Sequence, residues 1–100
     1  MQAFASIETP NAKRYLSQFC KHFAHKTEVE LADSNEAGAV TFSIGICRLH
    51  ADATTLTLAL TPTTPDDKTN LQSVVERHLI RFAFREDIAF TWHDTARLAV

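Results

Sequence analysis

The stretch Thr9–Lys26, TPNAKRYLSQFCKHFAHK, decides how the rest of the chain is read. Thr9 suits a helix N-cap, because its hydroxyl can accept a hydrogen bond from an orphan amide, and Pro10 suits the first helical position, where no amide hydrogen is needed. At about 100° per residue, Ala12, Leu16, Phe19 and Phe23 fall on one stripe, with Tyr15 and Lys26 on its shoulder and Lys13, Ser17 and Lys21 facing away. The segment is therefore an amphipathic helix that must lie on something apolar.

A second helix begins in the same way. Thr64 and Pro65 repeat the threonine-proline start, and Asp67 stands three residues after the cap as a capping-box variant. It runs from about Pro65 to Phe82 or Phe84, with Leu71, Val74, Val75, His78, Leu79 and Phe82 on its apolar face. Between and around the helices the period changes to two. Gln2–Glu8 alternates around Ala3, Ala5 and Ile7, and Thr27–Leu31 around Val29. Thr55–Thr61 alternates around Leu56, Leu58 and Leu60, and Ile88, Phe90 and Trp92 set a last strand. From Val40 to His50 the alternation shifts phase at Gly45, which predicts one strand carrying a bulge with glycine at positive φ.

These segments give the order βαβββαβ. Each helix has one apolar stripe and most strands have one apolar face. The fold class expected is α+β, a two-layer sandwich with both helices on one face of a largely antiparallel five-stranded sheet. Such a plan resembles a ferredoxin-like fold enlarged by a strand, or the half-repeat of the TATA-box-binding protein fold. Residues 1–94 are read as a single domain and 95–100 as a C-terminal tail. Leu16, Phe19, Phe23, Leu58, Phe82 and Phe90 are expected to share one core.

Composition excludes several functions. With 100 residues, 45% of them hydrophobic and 22% charged, the chain can build one core without staples. A formal net charge of −2 gives no basic field to attract nucleic acid. The opening MQAFASIE has no signal-peptide pattern and no run approaches the roughly 18 apolar residues of a membrane span, so a cytoplasmic protein is expected. Two cysteines, Cys20 and Cys47, make no disulfide framework and are expected to be reduced.

The candidate chemistry lies at the ends of the helices. His22 and His25, three apart, could share a face and begin a zinc, iron or haem site, although no CxxC or HExxH spacing accompanies them and no cofactor is otherwise expected. Positive side chains there also complement the carbonyl end of a helix dipole. His78 sits in an apolar face and needs partners for its ring nitrogens, either a backbone carbonyl or a group such as Tyr15. If the two helices lie side by side, His22, His25, Lys26, His78, Arg81 and Arg85 can line a basic groove for a small anionic ligand or an acidic partner surface. No complete constellation for catalysis is visible. A thiol enzyme using Cys20 ranks lower, because that thiol lies at the edge of the buried stripe.

The motifs Thr9-Pro10-Asn11, Tyr15-Leu16, Cys20–Lys26, Arg77-His78-Leu79 and Arg81–Glu86 resemble the small bacterial proteins grouped as DUF2218, across nearly the whole chain. The resemblance implies no activity. It does imply an association with iron handling, since members are similar to a domain found beside or fused to siderophore-interacting flavoproteins. The reading that results is a non-enzymatic accessory or binding module tied to siderophore metabolism, with a metal- or haem-binding protein using His22 and His25 as the alternative.

Overall fold

Helix α1, Ala12–Phe23, crosses from one edge of a sheet to the other. The computed structural model describes residues 2–83 and 85–94. The tail expected at 95–100, and the Phe84 end of the second helix, lie outside the described residues. Strand β1, Ala3–Glu8, enters at one edge and β2, Glu28–Leu31, leaves α1 at the opposite edge. The chain then returns by three further strands, β3 Ala37–Phe42, β4 Gly45–Ala51 and β5 Thr55–Pro62. The result is a five-stranded antiparallel sheet of order β1-β5-β4-β3-β2. A 3-10 turn at Pro65–Asp67 leads into α2, Lys68–Phe82.

The α+β class and the helix-covered antiparallel sheet are as expected, but the element order is not. The segment read as one bulged strand is a hairpin, in which Phe42 pairs with Gly45 across the turn residues Ser43 and Ile44. Gly45 does have positive φ, +148°, so the conformation is as read and its setting differs. The segment read as a last strand joins β1 only through one bridge, Phe4 to His93, with two backbone hydrogen bonds of 2.8 Å. The strand count stays at five because residues 37–51 form two strands, β3 and β4, while residues 88–92 form none.

Burial follows the alternation closely. Ala3, Ala5 and Ile7 of β1, Leu56, Leu58 and Leu60 of β5, Cys47 and Leu49 of β4 and Val40 of β3 are buried under the helices. Above them, α1 contributes Leu16, Phe19, Cys20 and Phe23, and α2 contributes Leu71, Val75 and Leu79. Phe19 is fully buried, whereas Phe82 and Phe90 pack against this core while remaining half-buried. Gly38 of β3 lets α1 approach, since a Cβ built there would stand 2.6 Å from Cys20 Sγ. The other sheet face carries Ser6, Glu8, Arg48 and His50, all exposed, as antiparallel sheets allow. Glu28 and Glu30 stand exposed on the free edge strand β2, where charge discourages pairing with another chain.

Candidate functional site

The start of α1 lies beside the residues that follow α2, and the end of α1 lies beside the middle of α2. At the first contact Thr9, Asn11 and Tyr15 meet around Glu86. Thr9 Oγ1 donates to Glu86 Oε1 at 2.8 Å, Asn11 Nδ2 donates to Oε2 at 2.8 Å, and the Tyr15 hydroxyl donates to the same Oε2. Those bonds, from Tyr15 first, then Asn11 and Thr9, hold the Glu86 carboxyl below its usual range. Tyr15 is shifted upward, by burial and by its bond to Glu86.

This latch explains why Thr9 is buried and why the helix begins later than the sequence predicts. Thr9 accepts the Asn11 amide at 3.1 Å, Pro10 and Asn11 form a turn, and α1 starts at Ala12 with no side-chain cap of its own. Glu86 supplies negative charge near that helix start, where it is favourable. Beside it lies a cleft of about 210 Å³ lined by Asn11, Arg14, Tyr15, Phe82, Arg85 and Glu86. Arg85 therefore belongs to this end of the helix pair.

At the second contact, His22 of α1 and His78 of α2 come together with ring centroids 5.1 Å apart. His22 also meets Phe82 at 5.6 Å and Phe23 at 4.8 Å, and Phe23 meets His78 at 4.8 Å. The His78 Nδ1–H donates to the Val74 carbonyl oxygen at 2.7 Å, the backbone-bonded alternative for a histidine on a packed helix face. That bond fixes the tautomer and leaves Nε2 as the second nitrogen. Burial, then the charges of His78, Lys26 and Arg81, push His22 below its ordinary pKa of 6.5. Lys26 and Arg81 are thus within electrostatic reach of His22. His25 stands exposed in the turn after α1, and the second imidazole beside His22 is His78. Among the described residues no group of three His, Cys, Asp or Glu side chains is placed to hold a metal ion.

No carboxylate answers this cationic cluster among the described residues. The ion pairs found there are Lys13–Glu36 at 3.4 Å and Lys68–Asp94 at 2.9 Å. Glu76 accepts the Trp92 indole N–H at 2.5 Å, and Glu86 is engaged by Thr9, Asn11 and Tyr15. Next to the cluster is an open hollow of about 470 Å³ walled by Phe23, Phe42, Ile44 and Val74, with Lys26, Thr27 and Ser43 also lining it. The apolar side chains there carry no site signature in the sequence. The alternation alone puts Ile44 in a strand, and it is the turn at Ser43-Ile44 that brings it beside Phe23 and Lys26.

The thiols are placed otherwise. Cys20 and Cys47 are fully buried and unbridged. Burial pushes Cys20 up to about 11, and burial followed by the proximity of Cys20 raises Cys47. A buried neutral thiol is a small hydrophobe.

A family model described as an uncharacterized protein conserved in bacteria, DUF2218, matches residues 4–93. The chain belongs to DUF2218. Its fold is shared with the NMR structure of PA4090 from Pseudomonas aeruginosa, at a TM-score of 0.76 and 32% identity over 93% of this chain and 95% of that one. No curated protein matches the chain. The family motifs quoted above meet in the DUF2218 fold: Thr9, Asn11 and Tyr15 meet Glu86 at one end, and His22 meets His78 at the other. Among the described residues, no helix of this DUF2218 chain is long and apolar enough to cross a membrane.

Proposed function

We propose that the chain is a non-enzymatic binding module of the bacterial cytoplasm that takes a small anionic ligand between α1 and α2. Lys26, Arg81 and the His22–His78 pair are its contacts. The observation that carries this reading is the gathering of these cationic and protonatable groups from two helices with no internal carboxylate among the described residues to compensate them. Like charges brought together cost free energy in a partly desolvated place, and a bound anion removes that cost. Helix-dipole complementation accounts for Lys21 and His22 in the last turn of α1, but not for the arrival of His78 beside them from the middle of α2.

An acidic iron chelator is the kind of ligand that would connect this site to siderophore metabolism, with a siderophore-interacting flavoprotein as the associated partner. Thermal melting with phosphate, citrate and a catechol-type siderophore tests the reading. Stabilisation that grows with anion concentration, and weakens in Lys26→Ala and Arg81→Ala, is the expected result. Melting curves indifferent to all three anions would overturn it.

A further inference from the structure

Resting on that reading, we infer that the ligand is an aromatic monocarboxylate, its ring in the hollow between Phe23, Phe42, Ile44 and Val74 and its carboxylate on Lys26. The hollow's volume, about 470 Å³, lies in the range of small-molecule pockets, and like them it combines apolar walls with a few polar groups at one side. Phe23 and Phe42 meet edge to face, with centroids 4.9 Å apart and planes at 87°. Two perpendicular rings form a corner, and a flat ring entering it can stack on one and meet the edge of the other.

The polar groups at the hollow define the rest. The Thr27 hydroxyl is already committed to the Thr41 carbonyl oxygen, so Lys26 and the exposed Ser43 are the remaining side-chain donors. Val74 joins the hollow to the histidine pair, since its carbonyl holds His78 while its side chain forms part of the wall. A carboxylate on Lys26 therefore sits where the field of His22, His78 and Arg81 is felt, while the ring covers half-buried Phe42, Ile44 and Val74. Phosphate would satisfy the field and leave those walls wet. A neutral aromatic would cover the walls and leave the field unanswered.

Benzoate, acetate, benzyl alcohol and inorganic phosphate, titrated into the protein and followed by NMR chemical shifts, separate these terms. Benzoate is expected to saturate, to shift Phe23, Phe42 and Val74, and to bind at least about tenfold more tightly than acetate or benzyl alcohol. Lys26→Ala is expected to reduce benzoate affinity by about fivefold or more. Ser43→Trp, at an exposed turn, is expected to block the hollow and abolish benzoate binding while phosphate still stabilises the protein, which shows that the variant is folded. Acetate or phosphate binding as tightly as benzoate would overturn the aromatic ligand and leave the anion site standing. Benzyl alcohol matching benzoate, or benzoate indifferent to Lys26→Ala or Ser43→Trp, would overturn it as well. No response to any anion would remove both readings.

Discussion

His22 and His78 face each other from separate helices, with ring centroids 5.1 Å apart and planes inclined at 51°. Because burial and the neighbouring positive groups lower the His22 pKa from 6.5, the unfolded chain takes up this proton before the folded one does. Stability is therefore expected to be at its full value above pH 6.5, to fall as the pH drops through the lowered folded pKa, and then to level. Urea midpoints of the wild type and His22→Phe across this interval measure it, and the variant should lack the fall. A saturating anion should flatten the same fall in the wild type. An identical decline in His22→Phe would assign the effect elsewhere.

Glu86 titrates in a separate window. Its carboxyl is held below the usual 4.5 by Tyr15, Asn11 and Thr9, so its contribution is present above 4.5 and is lost as the pH falls through the lowered value. Glu86→Gln is expected to cost about 1.5–3 kcal/mol, the scale of a hydrogen bond to a charged group. Tyr15→Phe should cost less in the Glu86→Gln background than alone, since the two side chains share one bond. Fully additive losses in denaturant titrations would show that the Tyr15–Glu86 bond contributes nothing.

How much of this was legible in the sequence depended on what each residue's signal reports. Alternation in β1 and β5 marked the buried side correctly, because Ala3, Ala5, Ile7, Leu56, Leu58 and Leu60 all face the helices. The same signal over Ile88, Phe90 and Trp92 marked side chains that pack on the core, but alternation says nothing about ladder hydrogen bonds, and only His93 makes them with Phe4. At Ser43-Ile44 an apolar residue stands in a tight turn, so the hairpin looked like continuous strand. A single strand from Val40 to His50 would have exceeded the usual strand length of about 5–6 residues, which was the available clue. Two stripes on one sheet face bring His22 and His78 together with Lys26 and Arg81 in electrostatic reach, whereas His25 and Arg85, expected in the same groove, stand in the turn after α1 and in the cleft beside Glu86. Glu86 as the centre of the latch did not, because its three donors are scattered over Thr9, Asn11 and Tyr15 and only the fold assembles them.

Burial separates two phenylalanines that the sequence makes equivalent. Phe19 is fully enclosed, so Phe19→Ala is expected to cost about 3–5 kcal/mol, a large share of the stability of a small domain. Phe82 is half-buried between His22 and the Arg14–Arg85 cleft, so Phe82→Ala should cost clearly less. Equal losses in denaturant midpoints would show that Phe82 is as enclosed as Phe19.

Cys20 offers a direct check on the thiol. With its side chain fully buried and its pKa pushed up to about 11 by burial, almost no thiolate exists at neutral pH. Reaction with a disulfide reagent is expected to be slow in the native protein and to accelerate on adding denaturant, in step with unfolding. Rapid labelling of Cys20 under native conditions would contradict this and return it to the list of candidate nucleophiles.

The two glycines should fail differently when given a side chain. At Gly45 a Cβ would stand 2.5 Å from the Thr61 carbonyl oxygen and 2.8 Å from Pro62 Cα, in a backbone with φ +148° that other residues rarely adopt. Two of the three closest obstacles are backbone, the third being Leu71 Cδ2 at 2.7 Å, so Gly45→Ala is expected to cost about 2 kcal/mol or more, and Gly45→Val more still. At Gly38 the closest obstacle is instead the Cys20 sulfur, 2.6 Å away at the end of a side chain. Gly38→Ala should therefore be partly rescued by Cys20→Ala, giving a favourable coupling in a double-mutant cycle, whereas trimming Leu71, the side chain nearest Gly45, should not rescue Gly45→Ala. Rescue at Gly45, or strict additivity between Gly38 and Cys20, would contradict the close approach of α1 to β3 and the backbone crowding at the hairpin.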